Sequence, residues 1–330
     1  MKQSSSVLTV KSFAKLNLYL EVLNKRQDNF HNLNTLFCRI DLADTIILKN
    51  RQDGLIKVKC DSQHVPCDKT NLCWRAAALL KQECKLDFGV QIEIKKRIPV
   101  GAGLGGGSSD AASVLLGLNK YWNLKLSKEK LADLGAKLGS DVPFFIYNTK
   151  FALGSDRGDK IKSLAALKKL KLWFILVYPK IKVSTPLIYR KFDSCLPVRQ
   201  AGLPVGKAFS GLTPHLVQIQ GGKRLNRKQG AGLTRPRCNV KILTSELLKN
   251  GRQIESKYFF NSLEVVTASL YPVVNQVKNA LSEMGLDKIM MSGSGPAVFA
   301  LCNGRKQAVD LKNKFAKKYK SWQIFVVSTV

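Results

Sequence analysis

The stretch PVGAGLGGGSSDAA, residues 99–112, decides how the rest of the chain is read. Pro99 and Val100 lead into it. Five of the seven residues from Gly101 to Gly107 are glycine, with Ala102 and Leu104 between them, and the hydroxyls of Ser108 and Ser109 follow at once. VQIEIKKRIPV (90–100) precedes it with the alternation Val90, Ile92, Ile94 of a strand, and helix formers run on to Tyr121. Glycine permits positive φ and close backbone approach. Successive amides can then converge on an anion, and the first turn of the following helix adds free N–H groups and a positive dipole end. Such a loop is built to hold a phosphate. Gly101, Gly103 and Gly106 satisfy the dinucleotide pattern G-x-G-x-x-G, but the chain reads as helical from 109 to 139. That leaves no second strand to carry the acidic residue expected about 20 residues on. The Walker loop fails because Ser108 stands where a lysine is required. What remains is a cradle of backbone amides with two serine hydroxyls able to contact a phosphate or its Mg²⁺.

The whole chain sets wider bounds. Its 330 residues exceed what one core usually fills, which predicts two domains, divided here at 1–165 and 166–330. A 45% hydrophobic content fits a soluble globular protein, and no run approaches the about 18 apolar residues of a membrane span. The N-terminal MKQSSSVLTVKSFAKLNLYL lacks a signal-peptide pattern, so a cytoplasmic location without a membrane partner is the expectation. Eight cysteines without a CxxC pair read as free thiols. His64 and Cys67 lack a second ligand pair, which argues against zinc and leaves any metal ligands unassigned. The net charge of +31 fits either a nucleic-acid partner or anionic small substrates. The Lys and Arg are spread along the whole length without an RNA-binding or zinc-finger motif, so nucleic acid is not the expected partner. Monomer and homodimer both stay open.

Elsewhere the pattern predicts strands at 7–25, 40–50, 55–60, 172–179 and 322–330, and strand, glycine turn, strand over 288–302. Helices are expected at 70–84 (capped by Thr70 or Asn71), from about 109 to 121, at 126–139 between Ser127 and Gly139, and at 269–285. Residues 194–237 break the pattern. They hold eight Lys or Arg and no Asp or Glu, repeat LPVRQAG and LPVGKA, and predict a flexible basic insertion.

Three motifs in order make the loop specific. SFAKLNLYLEV (12–22), the glycine loop, and MMSGSGPAVFAL (290–301) together resemble the GHMP kinases, named for galactokinase, homoserine kinase, mevalonate kinase and phosphomevalonate kinase. The resemblance spans nearly the whole chain apart from 194–237. It implies a two-domain α+β fold: an N-terminal ATP-binding domain of the ribosomal-protein-S5-domain-2-like type and a C-terminal ferredoxin-like α/β sandwich. It also implies ATP and Mg²⁺, and an alcohol acceptor. AKLNL (14–18), RQDNFHNLNTLF (26–37), LGSDVPFF (138–145) and KVSTPLIY (182–189) resemble the branch that phosphorylates the 2-hydroxyl of 4-diphosphocytidyl-2-C-methyl-D-erythritol, of the non-mevalonate isoprenoid pathway. The alternatives are another small-molecule kinase of the family, or a nucleic-acid-binding protein on a kinase scaffold.

Roles follow from the resemblance, each beside a plainer one. Asp141 alone reads as a turn or cap residue; the resemblance makes it the base that accepts the hydroxyl proton. Lys15 alone is a snorkelling lysine in an apolar strand; the resemblance sets it beside Asp141 and the moving phosphoryl group. Phe30 and His31 match an aromatic-His pair that holds a pyrimidine, with Tyr189 as the second aromatic. Asn17 is expected against the methylerythritol part, and Asn71 and Lys96 beside the adenosine. Asn29 replaces a usual glycine, Phe30 a usual tyrosine, and Ser262 a usual aspartate.

Overall fold

The computed structural model describes residues 7–195 and 239–330; the predicted insertion beyond Cys195 lies outside the described residues. Two long strands, β1 (Val7–Lys25) and β2 (His31–Arg51), form an antiparallel hairpin at the centre of the first sheet. β3 (Ile56–Cys60) and β4 (Gly89–Lys95) extend it on the far side of β2, with α1 (Leu72–Cys84) between them in sequence. α2 (Gly106–Tyr121), α3 (Lys128–Leu138) and the short α4 (Val142–Tyr147) pack on one face. β5 (Phe151–Ser155) and β6 (Lys160–Ser163) complete the sheet against β2.

Alternation along β1 does two jobs. Ala14, Leu16 and Leu18 point into a core, whereas Lys15 and Asn17 fall on the opposite face, against the cavity described below. The strand is therefore apolar on one side and polar, facing the cavity, on the other.

The second sheet has β7 (Trp173–Tyr178) and β10 (Val298–Cys302) at its centre, flanked by β11 (Gln323–Ser328) and β9 (Ile289–Met291), all antiparallel. The spatial order β11-β7-β10-β9 is 4-1-3-2 in sequence, the ferredoxin-like arrangement. α8 (Val273–Glu283) and α9 (Arg305–Lys318) cover one face. α6 (Val240–Asn250) packs in the cluster between the sheets, and α5 (Thr185–Cys195) and α7 (Glu264–Leu270) pack in the same cluster as α8 and α9. The two sheets share one apolar cluster in which Leu16 and Leu18 of β1 join Leu176 of β7, Phe299 of β10 and Leu243 of α6. β8 (Phe260–Asn261) adds a parallel strand to β1, and Ser328 bonds Asp41 by both its N–H and its hydroxyl. Among the described residues, no helix is long and apolar enough to cross a membrane.

Several elements differ from the sequence pattern for identifiable reasons. The helix expected over 269–285 is two, α7 and α8, because Pro272 lacks the N–H that would continue it. β2 begins at His31, nine residues before the pattern showed it, since both its faces are covered there and alternation is lost. α2 begins at Gly106 rather than about Ser109, because Gly105 turns the chain into it with φ +69°.

A cavity in the shared core should therefore be felt by both halves. Leu16→Ala is expected to cost about 2–5 kcal/mol. In urea, CD and Trp fluorescence should still report one coincident transition. Two separated transitions would show that the shared cluster does not couple the sheets.

Candidate active site

The loop 101–108 is shaped by what its carbonyls do. The Gly101 oxygen accepts from Val183 N–H (3.3 Å), Ala102 from Ala297 (3.2 Å), Gly103 from the Ser292 hydroxyl (3.0 Å) and Leu104 from Lys15 N–H (3.0 Å). Four successive carbonyls are thus drawn outward by three different segments. Among the described residues no backbone N–H from Gly101 through Ser108 has a partner, and these residues line one cavity. Gly101, Gly103 and Gly105 sit at φ +68°, +76° and +69°, where side chains are strained. At Gly103 a Cβ would also be driven into the Ser292 carbonyl oxygen. Amides facing inward at a helix N-terminus make an anion nest.

Asp141 and Lys15 meet beside it. Asp141 occupies the N-cap position of α4, but its side chain makes no capping bond. Its Oδ2 instead lies 3.5 Å from Lys15 Nζ, with the lysine 4% exposed and the aspartate 30%. Nζ also donates to Asn17 Oδ1 (2.5 Å) and lies 5.6 Å from the Phe37 ring centroid. Asn17 Nδ2 donates to Thr35 Oγ1 (2.8 Å), which donates to Tyr19 O (2.7 Å). This chain of bonds fixes a buried cation and leaves a carboxylate open to the cavity. Asn261 completes the frame by donating to the Met291 and Gly293 carbonyls, each at 2.8 Å, so that Gly293 packs within reach of Lys15 and Asn17.

The aromatic end lies in the same cavity, about 980 Å³ in volume, within the usual size for a small-molecule site. His31 is buried and stacks on Tyr189 (centroids 5.2 Å, 28°). Phe30 is 52% exposed at the rim, 5.2 Å from the Arg157 guanidinium. Asn29 takes φ +65°, which explains why glycine is usual there and why asparagine, tolerant of left-handed backbone, can replace it. Ser262 accepts from Val22 N–H (3.0 Å) and holds the end of β1.

Not every expected contact is available to a ligand. Ser108 lines the cavity, but Ser109 is buried away from it, donating to Phe13 O (2.6 Å) and accepting from Ser12 (2.7 Å). It pins α2 to β1 rather than offering a second hydroxyl. Asn71 lines the cavity, yet its side chain caps α1 through Cys73 N–H (2.7 Å) and donates to Pro66 O (2.5 Å).

The N-terminal domain model of the GHMP kinases matches residues 71–149, and the C-terminal model of the same family matches 243–321. The 4-diphosphocytidyl-2-C-methyl-D-erythritol kinase of Enterococcus faecalis is 36% identical over 91% of this chain and 92% of its own. The kinase of the same name from Bacillus velezensis is 39% identical over 88% and 86%. The chain belongs to the GHMP kinase family. A solved 4-(cytidine 5'-diphospho)-2C-methyl-D-erythritol kinase superposes with TM-score 0.71 at 30% identity, covering 97% of this chain and 98% of that one. A mevalonate kinase from L. major shares the fold, with TM-score 0.66 at 14% identity. This GHMP kinase is accordingly an ATP-dependent small-molecule kinase of two-domain α+β fold.

The kinase carries a charge cluster that its sequence pattern did not reveal. Lys96 Nζ sits between Asp44 Oδ2 (2.5 Å) and Asp110 Oδ2 (2.9 Å), with both aspartates buried and the lysine side chain 8% exposed. Asp44 Oδ1 also accepts from the N–H groups of Arg97 (2.5 Å) and Ile98 (2.8 Å), fixing the approach to the phosphate loop. Asp44 lies more than fifty residues from its partners in sequence, so no local pattern shows it. Lys96 lines the cavity as expected, but its charge is already matched by two carboxylates. Burial works against the Lys96 charge, and the two carboxylates overcome it, raising its pKa. Asp110 Oδ1 is buried without a partner. Burial pushes the Asp110 carboxyl up from its ordinary 3.8 to about 7, with Lys96 opposing and Asp44 adding to the rise.

The sign of the pH effect follows. An acid raised on folding makes the native state hold a proton that the unfolded chain releases. The stability it contributes is present at low pH and is lost as pH rises from about 4 to about 7. Asp110→Asn should therefore gain stability relative to the parent across that window, read as urea midpoints at pH 4.5 and pH 8. A difference that stays constant with pH would contradict this.

Proposed function

We propose that this GHMP kinase transfers the γ-phosphoryl of ATP to the 2-hydroxyl of 4-diphosphocytidyl-2-C-methyl-D-erythritol. The observation that carries it is one cavity lined by the Lys15–Asp141 pair, an anion nest and a His31–Tyr189 stack. The relatives of the same name, similar along nearly the whole chain, support it. The acceptor alcohol lies against Asn17 and Asp141, with its pyrimidine held by Phe30, His31 and Tyr189.

In this account Asp141 accepts the hydroxyl proton as the acceptor oxygen attacks. Lys15, fixed by Asn17 and Asp141, faces the charge that gathers on the transferring group. A preplaced cation stabilises that charge without reorganising. The loop amides of 101–108 hold the triphosphate in line. Mg²⁺ would neutralise phosphate charge when bound. The Ser108 hydroxyl and the phosphate oxygens suit this hard cation, which commonly keeps several waters and needs few protein ligands. Residues 1–165 hold ATP in this reading, and 166–330 close the cavity over the cytidyl end. We place the enzyme in the cytoplasm, where its ATP is drawn.

ADP release measured with the purified kinase should depend on the cytidyl substrate. Turnover of galactose, homoserine or mevalonate with none of the cytidyl compound would overturn the assignment. Asp141→Asn is expected to lower kcat by about 10²–10⁴-fold while ATP binding by calorimetry changes little. Near-normal kcat in that variant would remove Asp141 from the role of base.

A further inference from the structure

We propose that Asp193 is a positioning residue that fixes the tautomer of His31, so that the site selects a pyrimidine carrying an amino group over one carrying a carbonyl. This rests on the cytidyl assignment above. Asp193 lies on α5 four residues after Tyr189, so both side chains leave the same face of that helix. One carboxylate oxygen is 2.6 Å from His31 Nε2, and the other accepts from Lys25 Nζ at 2.8 Å. Burial works against the Asp193 charge, but the bonds from Lys25 and His31 prevail and hold its carboxyl below the usual range. The ring plane is fixed as well, by Tyr189 stacked at 5.2 Å and by Phe192 edge-on at 6.4 Å.

A carboxylate accepts hydrogen bonds and cannot donate, so the proton of the neutral imidazole sits on Nε2. Nδ1 is then an acceptor. His31 lines the cavity, and no described residue bonds Nδ1. At the corresponding edge, cytosine offers a 4-amino donor, whereas uracil offers an oxygen. An Nδ1 lone pair attracts the first and repels the second. With Asp193 removed, the ring can carry its proton on either nitrogen and accommodate both. A ring protonated on both nitrogens would instead donate from Nδ1 and favour the carbonyl.

Two measurements test this. The kinetic one compares the parent, Asp193→Ala and Asp193→Asn on the cytidyl substrate and its uridyl analogue. For Asp193→Ala the cytidyl KM should rise about tenfold to a hundredfold, kcat and the ATP KM should hold, and discrimination against the uridyl analogue should collapse. Asp193→Asn, whose amide oxygen can still accept from Nε2–H, should recover part of the loss. The second is ¹⁵N NMR of the histidine rings in the parent enzyme, eased by there being only His31, His64 and His215. The His31 ring should carry its proton on Nε2, and this preference should vanish in Asp193→Ala. Unchanged base discrimination in Asp193→Ala, or a parent ring protonated on Nδ1, would overturn the proposal. A parent enzyme inactive on the cytidyl substrate would instead remove the assignment on which it rests.

Discussion

Everything at this site depends on four carbonyls being held outward. A peptide that turns its oxygen away turns its N–H inward, and here Val183, Ala297, Ser292 and Lys15 each capture one oxygen of the loop. The captors come from β1, from the chain before α5, and from the glycine turn between β9 and β10. The loop is therefore a cradle only when both sheets are folded and docked. The same contacts bring the third glycine-rich motif against the first motif. Glycine at 103 is demanded by that approach, because the Ser292 carbonyl occupies the space a side chain would need.

From that constraint the chemistry is distributed rather than local. The loop has no cation of its own. Lys96 is nearby but is neutralised by Asp44 and Asp110 in a buried cluster. The cation that faces the cavity beside the loop is Lys15, presented by strand alternation on the face opposite the core. It is paired with an Asp141 that α4 does not use as a cap. Lys15 and Lys96 are each held in place by carboxylate partners. The excess positive charge of the chain, +31, suits a kinase whose cavity must gather an anionic triphosphate.

The parts legible in the sequence are those written locally. The glycine loop, the N-caps Asn71 and Ser127, and the alternation of β1 each sit within a few residues of their cause. Asp141 and Lys15 needed family resemblance, since a lone aspartate after a helix or a lone lysine in a strand has a plainer use. Ser108 and Ser109, two hydroxyls opening a helix, look alike in sequence; the bonds of Ser109 to Phe13 and Ser12 separate them. Asp44 and Asp193 are set by partners far off in sequence. The first sits on β2, the strand paired with β4, but 52 residues from Lys96 in sequence. The second had a faint signal, its spacing of four from Tyr189, but its partner lies 162 residues away.

The most direct measurement is amide hydrogen exchange, residue by residue, with and without a nonhydrolysable ATP analogue. If the loop holds triphosphate through backbone amides freed by outward carbonyls, then Lys15, Val183 and Ala297 exchange slowly in both states. The amides from Gly101 to Ser108 exchange fast in the free enzyme and become protected when the nucleotide binds. Loop amides already protected without nucleotide, or unprotected with it, would contradict the account.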